Sequence, residues 1–110
     1  HESPVQNPAT LADNTSSNTD ITDAGGDKVQ FDIQRENFVE FDYTLTRGTA
    51  RRNGKITIAG TSAGVHLDDN FTENAATGVT FFIATDGTLK YTSTNTSTTS
   101  TFKYREIRFL

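Results

Sequence analysis

Apolar and polar residues alternate one for one along two stretches of this chain. Val39, Phe41, Tyr43 and Leu45 share one parity, and Glu40, Asp42, Thr44 and Thr46 share the other. Val79, Phe81 and Ile83 repeat the pattern, which resumes beyond Asp86-Gly87 with Leu89 and Tyr91. A period of two sorts side chains onto the two faces of a strand, so these runs predict half-buried antiparallel strands. Asp-Gly between two such runs predicts a tight hairpin. No segment shows a helical period.

Shorter runs extend the pattern. Residues 28–33 put Val29, Phe31 and Ile33 on one face, 55–59 turn Ile56 and Ile58 inward, and Val65 and Leu67 flank His66. Residues 47–54 read as a turn segment, because Asn53-Gly54 near its end favours reversal. On that reading 38–59 is a hairpin with a basic tip. Asp68-Asp69-Asn70 reads as a turn, with Phe71 plugging the core. The Thr-rich run 92–101 reads as a hairpin extension with a polar loop. In the last strand, about 100–109, Phe102 and Tyr104 share one parity while Ile107 and Phe109 share the other. A strand changes faces only by gaining a residue, so either a β-bulge lies near Arg105-Glu106 or the strand end feeds a second apolar surface, such as a neighbouring subunit. About seven strands at this spacing predict an all-β fold, an antiparallel, meander-rich β-sandwich without significant helix. The domain is expected over 28–110. Residues 1–27 lack periodicity and are rich in Asn, Asp, Ser and Thr, so they are expected to be an extended linker anchored only by Leu11 and Ile21.

Composition narrows the picture further. A chain of 110 residues makes one domain. With 33% apolar residues, the 8 Phe and 3 Tyr must supply most of the buried surface. No Cys is present, so neither a disulfide nor a thiolate metal site is available. Met is absent, position 1 included, which reads as a processed product or a piece of a longer protein. No apolar run approaches the ~18 residues of a membrane span. A net charge of -4 offers no bulk attraction to nucleic acid or an anionic membrane.

Candidate chemistry is sparse. The histidines are His1 and His66, and neither stands in a nucleophile–base signature. Glu40 and Asp42 lie two apart on one strand face, within reach of each other as a glycosidase pair would be, but so would any two acids on a polar face, and such pairs normally sit in a deep groove that a chain of this size rarely builds. Asp68-Asp69-Asn70 with Glu73, and Asp13, Asp20 and Asp23, supply oxygen ligands without the spacing of a calcium loop. No catalytic residue, metal ligand or cofactor is therefore expected. The sharpest charge feature is the expected tip, Arg47, Arg51, Arg52 and Lys55, where the arginine forks suit phosphate, an acidic glycan or an adjoining acidic face. Phe38 and Phe82 have the wrong parity for the core and suit a sheet or subunit contact. Asn14, Asn70 and Asn95 head Asn-x-Ser/Thr triplets, which matter only where the source glycosylates.

The order of these pieces resembles a β-domain of virion proteins of tailed bacteriophages, found in tail fibres and related appendages. The shared cues are the acidic-aromatic run before Tyr43, Arg47-Gly48 followed by Arg52-Asn53-Gly54, Asp68-Asp69 before Phe71, Gly78-Val79-Thr80-Phe81, and Tyr91 to Asn95 before a basic-aromatic last strand. They span about 13–110. The resemblance implies a non-enzymatic structural or host-recognition module in an extracellular particle. It implies partners among other virion subunits, commonly as a homotrimer, and a host surface glycan as a further ligand. Phe82, Ile107 and Phe109 are the interface candidates. The alternative is a carbohydrate-binding module using Tyr and Arg near 47–55.

Overall fold

A computed structural model of the chain describes residues 7–109, and every regular element in them is a strand. The strands are β1 (Asn7–Leu11), β2 (Thr15–Asp20), β3 (Phe38–Arg47), β4 (Ala50–Thr61), β5 (Gly64–Glu73), β6 (Val79–Ile83), β7 (Leu89–Ser93) and β8 (Ser100–Phe109). One sheet has the order β1-β8-β3-β4-β5 and the other β2-β7-β6, with all pairings antiparallel. The expected all-β sandwich is the fold. β3, β4 and β5 form a meander, β6 and β7 a hairpin around Asp86-Gly87, and β8 returns to lie between β1 and β3.

Aromatic rings from both sheets fill the space between them. Tyr43 and Phe102 of the larger sheet both meet Phe81 of the smaller one, with centroids 5.4 and 5.2 Å apart. Tyr104 stacks on Phe102 and meets Phe41 edge-on. Such offset and edge contacts suit the ring quadrupole. Val39, Leu45, Ile56, Ile58 and Leu89 close the core.

Several local expectations are corrected. Residues 7–20 are not linker but two strands, β1 against β8 and β2 against β7, with Leu11 and Ile21 fully buried. Thr adds little to a core but suits a strand, and cross-strand hydrogen bonds such as Ser93 N to Thr15 Oγ1 (3.0 Å) and Ser93 Oγ to Ala12 O (2.6 Å) hold this segment where periodicity is lacking. Residues 1–6 lie outside the described residues. Residues 28–33 bury Val29 and Phe31 yet make only isolated bridges, at Lys28 and Gln30, while running across the end of the smaller sheet. The β3–β4 reversal falls at Gly48-Thr49, not at Asn53-Gly54, with Gly48 at φ +60°. Asp68-Asp69-Asn70 lies inside the regular ladder of β5, and Phe71 is 43% exposed at the sandwich edge rather than in the core. β8 pairs with β3 without a register shift from Phe109 to Thr101, so no bulge exists near Arg105-Glu106. Ile107 and Phe109 therefore point to the outer face of the larger sheet.

Candidate interaction face

The parity of β3 continues past Leu45 to Arg47, which places Arg47 on the core side and leaves it only 5% exposed. Its guanidinium ties together the loops at one end of the sandwich. Nε donates to Thr98 O (2.9 Å), Nη1 to Thr77 O (2.8 Å), and Nη2 to Thr94 O (2.7 Å) and Asp13 Oδ1 (2.5 Å). The Thr96 and Ser97 amides also donate to Asp13. The Thr96 amide, helped by Ser97 and Arg47, holds the Asp13 carboxyl below its ordinary 3.8 against the opposing effect of burial. A planar fork with five donors suits this bridging of separate carbonyls.

Arg52 follows the same logic on β4. It is 4% exposed, donates through Nε to Glu73 Oε2 (2.9 Å) and through Nη2 to Val79 O (2.8 Å), and its Cζ lies 3.9 Å from the Phe71 ring centroid. Burial alone would raise the Glu73 carboxyl, but the Thr77 hydroxyl and Arg52 bring it below 4.5. Beside this pair, Tyr43 crosses over Gly54 and donates to Asp69 Oδ1 (2.7 Å). Burial, reinforced by the charges of Asp68 and Glu73, raises Asp69 above 3.8 despite Tyr43 and Arg52. Tyr43 is raised as well, by burial and then by Asp69.

The expected basic tip is thus dispersed. Arg47 and Arg52 are internal clamps. Arg51 and Lys55 are exposed on the outer face of the larger sheet, where Arg51 bonds the Gly48 carbonyl and Lys55 Nζ lies 3.5 Å from Glu40.

That outer face holds the apolar surface. In register order, one row contains Phe109, Phe38, Ala59 and His66, and the next Ile107, Glu40, Thr57 and Asp68. The third row is Arg105, Asp42, Lys55 and Asn70, with Arg105 Nη2 3.1 Å from Asp42 Oδ2. Beyond it come Lys103, Thr44, Asn53 and Thr72, and then Thr101, Thr46 and Arg51. The Phe38 and Phe109 rings stand 5.4 Å apart, and Ile107 and Phe109 are 40% and 52% exposed. An apolar corner adjoins a charged row and a field of hydroxyls and amides. Behind the corner, on the core side, Arg108 Nη1 donates to both oxygens of buried Glu36 (2.6 and 2.8 Å) and so replaces the apolar packing that parity would demand.

The remaining candidates are separated. Phe82 is half-buried on the smaller sheet, apart from Ile107 and Phe109. Asp68 and Asp69 point to opposite faces of β5. Asp13 serves the Arg47 clamp, Asp20 pairs with Lys90 and Lys28, and Asp23 accepts from the Gly25 and Asp27 amides. Among the described residues, no three His, Asp or Glu side chains gather to hold a metal ion. His66 is exposed on the outer face of β5. Periodicity flagged Phe38, Ile107 and Phe109 as out of phase with the core; it gave no sign that Asp13 closes the Arg47 clamp, because no local pattern links them. Compared with protein-family models, with curated proteins and with solved structures, the chain matches none.

Proposed function

We propose that this domain is a non-enzymatic packing and surface-binding module of a virion appendage of the tail-fibre type, working through the outer face of the larger sheet. The observation that carries this reading is the exposure of Ile107 and Phe109, with half-buried Phe38 against the Phe109 ring, in one corner of an open face. Single exposed apolar residues are ordinary, whereas a contiguous group rimmed by charge marks a contact site. Its partner is another virion subunit, and the resemblance of the sequence implies three copies around one axis. The solution mass of the intact chain tests this. An assembly that becomes smaller in an Ile107→Ser, Phe109→Ser chain with an unchanged strand spectrum supports the reading. A parent chain that stays monomeric at high concentration, alone and with its neighbouring virion proteins, removes it.

A second reading, glycan binding on the same face, draws on a trough of about 650 Å³ lined by Thr44, Thr46, Arg51, Asn53, Thr72 and Asn74. Hydroxyl, amide and guanidinium groups of this kind match sugar hydroxyls and carboxylates. Loss of binding to an acidic oligosaccharide on Arg51→Ala would favour it.

A further inference from the structure

A sheet edge carries unpaired N–H and C=O groups that invite another strand, and folded proteins blunt such edges by shortening, Pro, bulges or capping side chains. The described residues contain four edges, and three are blunted. β1 spans five residues and includes Pro8. β2 changes register between Thr15 and Thr19. β6 spans five residues, and Arg52 caps its Val79 carbonyl. β5 is different: ten residues, no Pro, Lys or Arg, and an unbroken ladder with β4. Its inward Asp69, which would otherwise discourage pairing, is already engaged by Tyr43. Val65 and Leu67 remain half-buried on the inner side of this edge.

We infer that β5 pairs antiparallel with β5 of a second copy of this chain, with the two-fold axis at Leu67. Charge selects the occupant and the register. Residues directly opposite must share a face, so the axis passes through a residue rather than between two. Centring on Asp68 or Asp69 opposes two like carboxylates, which is unfavourable. Centring on Leu67 sets His66 against Asp68 of the second copy, twice, and Leu67 against its own mate. Gly64 then faces Asn70. This surface is separate from the Phe38–Ile107–Phe109 corner, and the inference does not depend on that proposal.

The lack of native Cys makes the register directly testable. Opposed Cβ atoms stand about 4.5–5.5 Å apart and diagonal neighbours about 7–8 Å, so only opposed pairs form a disulfide. His66→Cys chains mixed with Asp68→Cys chains should give a covalent dimer under mild oxidation, while either variant alone should not. Mixing Gly64→Cys with Asn70→Cys chains repeats the test with the charge pair intact. The unmodified chain should show twice the monomer mass or a multiple of it. Absence of covalent dimer in both mixtures overturns the inference, and cross-linking of a single variant alone overturns the register. The Ile107→Ser, Phe109→Ser chain should keep the cross-link, so this pairing and the outer-face proposal fail separately.

Discussion

Arg47 illustrates how one side chain changes meaning with its parity. On a solvated hairpin tip it would be a free cation; one strand position inside the reversal, it is a buried clamp on four acceptors from three loops. Removing it strands the Thr77, Thr94 and Thr98 carbonyls and leaves Asp13 without its cation. Breaking a buried charged cluster from one side costs more than the cluster contributes, because the remaining groups stay desolvated. Arg47→Ala should therefore lose about 3–5 kcal/mol in urea unfolding. Arg51→Ala, four residues along and exposed, should change stability by less than about 0.5 kcal/mol. Near-equal losses in the two variants would contradict the clamp.

Within elements, Gly54 decides how β3, β4 and β5 fit together. It sits mid-strand, paired with Tyr43 on one side and Phe71 on the other. A Cβ there would lie 2.8 Å from Tyr43 Cζ and Oη and 2.8 Å from Phe71 Cβ. The missing side chain is what lets the Tyr43 ring cross β4 to reach Asp69. Gly54→Ala should cost about 1–3 kcal/mol through overpacking and displace the Tyr43 hydroxyl. A chain with Tyr43→Phe already in place loses that hydrogen bond first, so adding Gly54→Ala there should cost less than in the parent. Additive losses in thermal unfolding would show that the glycine serves some other contact.

For the whole molecule, the carboxylates set the response to acid. Hydrogen bonds and cations hold Asp13, Asp20, Glu73 and Asp86 below their ordinary values in the folded state. A depressed folded pKa contributes stability that is present above the unfolded value and is lost as pH falls through the folded one. Asp69 has the opposite sign: raised by burial, it contributes stability below 3.8 that is lost as pH rises through its folded value. The four depressed groups outnumber it, so the folded chain should lose stability as pH drops from about 5 towards 2. Asp69→Asn should gain on the parent as pH rises from about 4 to neutrality. Melting temperatures measured across pH 2–7 test both statements, and a parent chain more stable at pH 3 than at pH 6 would contradict the first.

The all-β class, the Asp86-Gly87 hairpin and most of the buried set are legible in the order of residues. Those follow from alternation, in which each residue's face depends only on its neighbours two positions away. It also marked Ile107 and Phe109 as out of step with Phe102 and Tyr104. A reversal at Asn53-Gly54 would turn Arg47 and Arg52 outward, whereas the one at Gly48-Thr49 keeps both on the parity of their buried neighbours. Packing between remote segments supplies what no local pattern encodes. It recruited 7–20 into two sheets, left the phase change of β8 as an outer apolar corner without a bulge, and gave buried Arg47 and Arg52 acceptors from distant loops. The physical reason is that a side chain's face is a local property of the backbone, whereas the partners that make a buried charge tolerable arrive only when remote segments pack together.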